Sequence, residues 1–133
     1  MALKTVIFMG RIEATAEPAR PDWVVISLSE WGAEPAKLKV GWRDVLRQEF
    51  HDIDEPHAPY DLFTPDQARE IAQFVQNAHT SGAKGILVHC RAGISRSAAV
   101  AKWIAGRYDL PFPEGYSLYN KHVFRLLISA ENV

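Results

Sequence analysis

The twelve residues from Ile86 to Ser97 constrain the fold of this chain more than any other segment. The run Ile86-Leu87-Val88 is apolar and rich in β-branched residues, which is typical of a buried strand. The run Ser97–Ala105 is rich in helix-forming residues. A short loop with one cysteine and one glycine joins the two, so the sequence predicts a strand, a tight loop and the N-terminus of a helix. Backbone N–H groups and the helix dipole make such a junction suitable for binding an anion.

The residues of this loop indicate which chemistry the anion site could support. A free thiol is mostly protonated at neutral pH, but helix N-terminal amides and a nearby cation stabilise the nucleophilic thiolate. Cys90 lies where both influences are expected, because Arg96 follows it by six positions. The loop amides could hold the oxygens of a phosphoryl group, and the planar guanidinium of Arg96 could bind two of them. The segment therefore predicts a cysteine nucleophile with fixed donors for in-line phosphoryl transfer.

The string His89-Cys90-x5-Arg96-Ser97, with Gly93 inside it, resembles the signature loop of the cysteine-based protein tyrosine phosphatases. Its ending Ile94-Ser95-Arg96-Ser97 resembles the dual-specificity branch. The resemblance implies that Cys90 forms a phosphocysteine intermediate, Arg96 binds phosphate, Ser97 stabilises the leaving thiolate and His89 orients the loop. It further implies a phosphate-binding loop without metal or cofactor, made by Arg91, Ala92, Gly93, Ile94, Ser95 and Arg96.

Residues 51–63 are predicted to supply the general acid that protonates the leaving oxygen. Two prolines and several carboxylates without periodicity predict an exposed loop there. In the phosphatase family the acid follows an aromatic residue by two positions, on a loop some thirty-odd residues before the cysteine. Phe50-His51-Asp52 matches this pattern, so Asp52 is the preferred acid and base. Asp54 lies closer to the usual spacing and stays an alternative, followed by Asp61 or by no carboxylate of this segment.

Length and composition limit the remaining possibilities. The 133 residues, of which 47% are hydrophobic, are close to the commonest domain size, and we expect a single domain over residues 1–133. A net charge of −1 argues against a nucleic-acid partner, and no apolar run reaches the roughly 18 residues of a membrane span. The one cysteine excludes an internal disulfide and favours a reducing, cytoplasmic environment. We expect a monomer.

The alternation of strand and helix signals predicts the α/β class: a small, mostly parallel central sheet flanked by helices, similar to the protein tyrosine phosphatases. Thr64-Pro65-Asp66-Gln67 predicts the start of a helix that ends at Gly82. Asn120 resembles the asparagine of a late helix that braces the phosphate loop in dual-specificity phosphatases, the alternative being an ordinary asparagine on a helix surface. The remaining predicted elements are strands at Leu3–Met9, Trp23–Leu28, Leu38–Val40 and Arg43–Phe50, a loop at Gly10–Pro21, and a last helix from about Ser117.

The expected activity is hydrolysis of phosphomonoesters on proteins, or of small phosphomonoesters. Because the chain is shorter than a tyrosine-specific catalytic domain, a shallower pocket is expected to admit phosphoserine and phosphothreonine beside phosphotyrosine. One alternative is a binding module of the same fold that holds phosphorylated partners without turnover. A sulfurtransferase or an arsenate reductase also uses a loop cysteine, but the absence of a second cysteine argues against a disulfide-relay reductase.

Overall fold

A computed structural model describes residues 3–131, and these residues form a four-stranded parallel sheet with helices on both faces. The strands stand in the order β1-β4-β2-β3, so that β4 is an interior strand. Each strand except β2 is followed along the chain by a helix, and β2 leads to its parallel neighbour β3 through residues 30–43, which form neither helix nor strand. The elements are β1 (Thr5–Gly10), α1 (Arg11–Ala16), β2 (Trp23–Ser29), β3 (Asp44–Glu49), α2 (Pro65–Thr80), β4 (Gly85–Cys90), α3 (Arg96–Tyr108) and α4 (Lys121–Ala130).

The interior strand β4 is buried along its whole length, which explains its continuous apolar sequence. Alternate side chains enter two separate cores because successive residues of a strand point to opposite faces. Ile86, Val88 and Cys90 belong to the larger core, with residues of α2, α3 and α4. Leu87 belongs to a smaller core on the other face, together with Ala14 of α1. The predicted α/β class with a small parallel sheet flanked by helices is confirmed, and every strand pair is parallel.

Helix α2 begins as its sequence predicts. Thr64 accepts a hydrogen bond from the backbone N–H of Gln67, the Gln67 side chain accepts one from the backbone N–H of Thr64, and Pro65 occupies the first turn. This capping box satisfies N–H groups that have no partner inside the helix. The buried stripe of α2 then anchors the helix on the larger core with Ala68, Ile71, Val75 and Ala78.

Two predictions for the first third of the chain are wrong. The segment Gly10–Pro21 is not loop throughout, because α1 occupies Arg11–Ala16. The short helix follows β1 directly and buries Ala14 completely, so a tertiary contact stabilises a segment whose own pattern is weak. Leu38–Val40 does not form a strand: Leu38 packs on the smaller core while Val40 is 99% exposed.

The last helix starts later than predicted, at Lys121 instead of about Ser117. Asn120 is its N-cap residue, and its side chain accepts a hydrogen bond from the N–H of Val123 at 3.0 Å. Within residues 3–131, none of the helices is both long enough and apolar enough to cross a membrane.

Candidate functional site

The cysteine loop, residues Arg91 to Ser95, joins the end of β4 to the first turn of α3. Cys90 is the last residue of β4, is 2% exposed, and holds its sulfur beside two hydrogen-bonding groups. The N–H of Gly93 donates to Sγ at 3.3 Å, and Oγ of Ser97 lies 3.1 Å from Sγ. Both groups can stabilise a negative charge on the sulfur. The structure therefore brings Gly93 and Ser97 to the sulfur of Cys90.

Glycine is required at position 93 for two reasons. Its φ of +75° lies in the left-handed region, which residues with a side chain rarely adopt. A Cβ atom there would also collide with the backbone of Met9 and Gly10 at the end of β1. The loop thus lies directly on β1, and the N–H of Arg11 donates to the carbonyl oxygen of Arg91 at 3.1 Å.

Arg96 is the first residue of α3, and its guanidinium is buried and fixed from two sides. One terminal nitrogen donates to the carbonyl oxygen of Phe50 at 2.9 Å, and the other donates to Oε1 of Glu30 at 2.8 Å. Within the described residues, the buried Nε of Arg96 has no hydrogen-bond partner. A buried donor of a charged group without a partner is unusual and fits a site for an anionic ligand.

Glu30 is a residue of this site that the sequence analysis missed. Partial burial raises the pKa of Glu30, but a hydrogen bond from its own backbone and the charge and hydrogen bond of Arg96 outweigh burial, so its pKa lies below the ordinary value. One feature of the sequence could have pointed to Glu30: it follows the end of strand β2 by one residue, which places it at the same edge of the sheet as Cys90. The two residues are 66 positions apart, and no local pattern connects Glu30 with Arg96.

Asp52 is the carboxylate of residues 51–63 that reaches the cysteine loop. Its Oδ1 accepts a hydrogen bond from Oγ of Ser95 at 2.7 Å and one from Nδ2 of Asn120 at 2.9 Å. Asp54 lines a surface groove together with Asp52, Ser95 and Asn120. In the described part of the chain, no hydrogen bond joins the Asp54 side chain to residues 91–97. Asp61 is exposed, and its backbone instead pairs with His51. Among the three predicted candidates, only Asp52 has this contact.

Asn120 connects three parts of the site. Besides capping α4, its side chain donates to the carbonyl oxygen of Ile53 at 3.0 Å and to Asp52, and its backbone N–H donates to the carbonyl oxygen of Ser95 at 3.1 Å. The residue is 6% exposed, so the interpretation as a helix-surface asparagine is wrong. Asn120 holds the segment of Asp52 and the end of the cysteine loop against each other.

His89 lies beneath the cysteine loop and is completely buried. Its Nε2 is 2.7 Å from Oγ of Ser27, and its Nδ1 is 3.4 Å from the carbonyl oxygen of Cys90. Burial, reinforced by the positive charges of Arg11, Arg47 and Arg96, lowers the pKa of His89 to about 4 against the weaker raising effect of the Cys90 backbone. The imidazole is therefore neutral at pH 7, and its two nitrogens lie between the Ser27 hydroxyl and the carbonyl oxygen of Cys90 at the start of the cysteine loop.

Tyr116 supports the outer side of the cysteine loop and was also missed from the sequence. Its hydroxyl donates to the carbonyl oxygen of Ile94 at 2.5 Å, and its ring packs against Phe8 and Phe112. Burial and a negative charge at Cys90 raise the pKa of Tyr116, so its hydroxyl stays protonated and can donate. Arg91, Ala92 and Ile94 leave their side chains exposed, which makes them rim residues whose backbone amides remain the candidate phosphate ligands.

Residues 3–131 contain no group of three or more histidine, cysteine, aspartate or glutamate side chains that could hold a metal ion. No protein-family model matches the sequence, and a search of curated proteins likewise gave no match.

Proposed function

We propose that this protein hydrolyses phosphomonoesters on proteins through a phosphocysteine intermediate, as a phosphatase of the dual-specificity type. The observation that carries the proposal is the hydrogen bond from Ser95 to Asp52, which joins residues 43 positions apart. It connects the carboxylate preferred from the sequence to the loop between Cys90 and Arg96. A nucleophile, an anion-binding cation and an acid are the groups that this two-step reaction needs.

In the first step the thiolate of Cys90 attacks phosphorus in line with the ester oxygen. The S–P bond forms and the P–O ester bond breaks, while Asp52 in its protonated form gives its proton to the leaving oxygen. Arg96 and the backbone amides of residues 91–95 bind the equatorial oxygens, whose charge they stabilise in the transition state. The unpartnered Nε of Arg96 supports this assignment because a phosphoryl oxygen would satisfy it.

In the second step water attacks the phosphocysteine, and the Asp52 carboxylate accepts a proton from that water. The S–P bond breaks, inorganic phosphate leaves, and the thiolate of Cys90 is restored. The hydroxyl of Ser97, whose oxygen is 3.1 Å from the sulfur, donates to the departing thiolate and lowers the barrier of this step. The cycle consumes one water and needs no redox partner.

The proposed substrates are phosphotyrosine proteins, with phosphoserine and phosphothreonine proteins as further substrates. The side chains of Ile94 and Leu118 are 47% and 63% exposed near the loop and its neighbouring groove, so the rim offers apolar contacts for a peptide. A catalytic thiol must stay reduced, and we therefore propose the cytoplasm as the place of action.

The decisive experiment measures release of 4-nitrophenol from 4-nitrophenyl phosphate, with EDTA and a reductant present, by the wild type and Cys90→Ser. We expect metal-independent turnover in the wild type and a loss of more than about 10⁴-fold in the variant. Cys90→Ser should keep its circular dichroism spectrum and still bind phosphate, since Arg96 and the loop amides are unchanged.

Absence of turnover in well-folded wild type contradicts the proposed hydrolysis. If that inactive protein still binds vanadate, the phosphate-binding module becomes the better interpretation. If it binds no oxyanion, both interpretations of the loop are wrong.

A further inference from the structure

Three polar side chains stand in a row across the sheet directly beneath the cysteine loop. Ser27 of β2 is the register partner of His89 on β4 and also of Arg47 on β3. Register partners in neighbouring strands share one face of a sheet, and His89 and Cys90 point to opposite faces. The row Arg47, Ser27, His89 therefore lies under the cysteine on the side of the smaller core.

The hydrogen bonds along this row have a defined direction. The guanidinium of Arg47 can only donate, and its Nη1 lies 3.3 Å from Oγ of Ser27. The Ser27 oxygen therefore accepts from Arg47, and its single hydrogen is free to point to Nε2 of His89 at 2.7 Å. Nε2 then carries no hydrogen, and a neutral imidazole must carry its hydrogen on Nδ1.

The reverse tautomer fits these contacts poorly. With a hydrogen on Nε2, Ser27 would accept from both Arg47 and His89, and its own hydrogen would need a different acceptor. The bare Nδ1 would face the carbonyl oxygen of Cys90 at 3.4 Å, which places two acceptors against each other. With the hydrogen on Nδ1, the same pair becomes an attractive N–H to carbonyl contact.

We propose that Ser27 and Arg47 are positioning residues that fix His89 as the Nδ1–H tautomer, whose N–H then holds the carbonyl group of Cys90. The catalytic consequence rests on the proposed phosphatase function, whereas the tautomer itself does not. His89 contacts the carbonyl oxygen of Cys90, and Ser27 and Arg47 determine that the imidazole nitrogen facing this oxygen carries the hydrogen.

The consequence for the loop follows from the planar peptide bond. In a trans peptide the C=O and the next N–H point in opposite directions. When His89 holds the carbonyl group of Cys90 on the smaller-core side, the N–H of Arg91 is directed away from His89. The row therefore sets the direction of the first amide in the candidate phosphate-binding loop.

Neutrality of His89 is a condition for this arrangement, because an imidazolium would donate from both nitrogens. The imidazole is completely buried and lies in the field of Arg11 on α1, Arg47 on β3 and Arg96 on α3, which all oppose a further positive charge. Geometry and electrostatics thus favour the same single protonation state.

The test uses long-range ¹H–¹⁵N correlation NMR of the wild-type protein at pH 7, labelled on histidine. We expect a protonated, pyrrole-type Nδ1 and an unprotonated, pyridine-type Nε2 for His89. A protonated Nε2, or an imidazolium, overturns the proposal. This NMR measurement needs no enzymatic activity. It therefore tests the tautomer even if the wild type fails to hydrolyse 4-nitrophenyl phosphate and the proposed function is wrong.

Variants then separate positioning from mere packing. Ser27→Ala should mix the two tautomers and lower kcat/KM for 4-nitrophenyl phosphate roughly tenfold, which corresponds to one lost hydrogen bond. Ser27→Thr retains the hydroxyl and should restore both readouts. Ser29→Ala, two positions further on the same strand, is the matched control and should change neither.

Unchanged nitrogen shifts in Ser27→Ala would contradict the role of Ser27. For Arg47, the variant Arg47→Met should mix the tautomers while Arg47→Lys, which also only donates, should not. If the Arg47→Met variant gives the same histidine nitrogen shifts as the wild type, Arg47 does not influence the tautomer of His89.

Discussion

The two segments that supply the nucleophile and the proposed acid are held in place by different means. Residues 90–97 lie between a completely buried strand and a buried helix start, and the contacts of the Cys90 sulfur come from residues three and seven positions away. Residues 51–63 form no helix or strand and are mostly exposed. Asp52 reaches the site through Ser95 and Asn120, which are 43 and 68 positions away.

This difference has a physical consequence. Contacts between residues that are close in sequence cost little additional entropy. The cysteine loop is therefore specified by its own sequence, by the strand and helix that flank it, and by the end of β1, on which Gly93 packs. The segment of Asp52 depends on a few long-range hydrogen bonds near solvent, each of which contributes about 1 kcal/mol. We therefore expect changes in residues 90–97 to impair folding and activity together, and changes in residues 51–63 to lower activity far more than stability.

The largest effect is expected from Gly93→Ala. The new Cβ would collide with the backbone at the end of β1, at a φ that alanine rarely adopts. The free energy of unfolding should fall by more than about 2 kcal/mol, and turnover should be lost. Urea denaturation measures the first quantity and 4-nitrophenyl phosphate hydrolysis the second.

Gly106→Ala is the matched control for this glycine. Gly106 lies within α3 and a Cβ there would meet no atom within 4 Å. The free energy of unfolding should rise by about 0.4–1 kcal/mol because alanine reduces the entropy of the unfolded chain. If both variants behave alike, Gly93 is not constrained by its φ and by β1 as described.

Asp52→Asn should lower kcat for phenyl phosphate by about 10²–10⁴-fold without changing the free energy of unfolding. The loss should be much smaller with 2,4-dinitrophenyl phosphate, whose leaving group needs no proton. The decline of activity at high pH should also become flatter. Asp54→Asn is the control, and a larger loss in that variant would assign the acid to Asp54.

The pH dependence of the free energy of unfolding tests whether His89, buried beneath the cysteine loop, is neutral in the folded protein. The pKa of His89 falls from 6.5 to about 4 on folding, so its contribution to stability is complete above pH 6.5 and is lost as the pH falls toward 4. The full loss corresponds to about 3 kcal/mol. Urea denaturation between pH 7 and pH 4 should show this decline in the wild type and a flatter curve in His89→Asn.

Glu30 acts in a lower pH range and can be separated from His89. Its lowered pKa gives a contribution that is complete above its ordinary value of 4.5 and disappears as the pH falls further. A decline between pH 6.5 and 4.5 therefore belongs to His89. Equal slopes for the wild type and His89→Asn in that range would contradict this assignment.

The smallest effect is expected from Asn120→Ser. Serine is also a good N-cap residue, so the cap of α4 should be retained, and the free energy of unfolding should fall only by the lost side-chain contacts, about 1 kcal/mol each. Its short side chain cannot reach Asp52 and Ile53, and kcat/KM should fall up to about tenfold. Asn77→Ser on the exposed surface of α2 is the control and should retain wild-type activity.

The variant Asn120→Ala separates the capping role of Asn120 from its contacts to Asp52 and Ile53. It removes the cap as well as the contacts and should cost about 1 kcal/mol of stability beyond the serine variant. If Asn120→Ser loses stability but keeps full activity, Asn120 serves α4 alone and not the segment of Asp52.

Features that depend on neighbouring residues along the chain were predictable from the sequence. The capping box at Thr64 and Gln67, the apolar run of β4 and the helix formers of α3 follow from local propensities. The spacing from Phe50 to Asp52 also selected the carboxylate that contacts the cysteine loop. The roles of these residues in catalysis stay predictions until turnover is measured.

Only the tertiary structure decided which distant residues complete the site. Helix α1 is stabilised by the burial of Ala14, and Glu30, Ser27 and Tyr116 gain their contacts from strands and loops far away in sequence. None of these contacts leaves a periodic pattern in the chain, because each joins residues that are brought together only when the sheet and its helices assemble. Local sequence thus determined the cysteine loop, whereas sheet order and register determined what surrounds it.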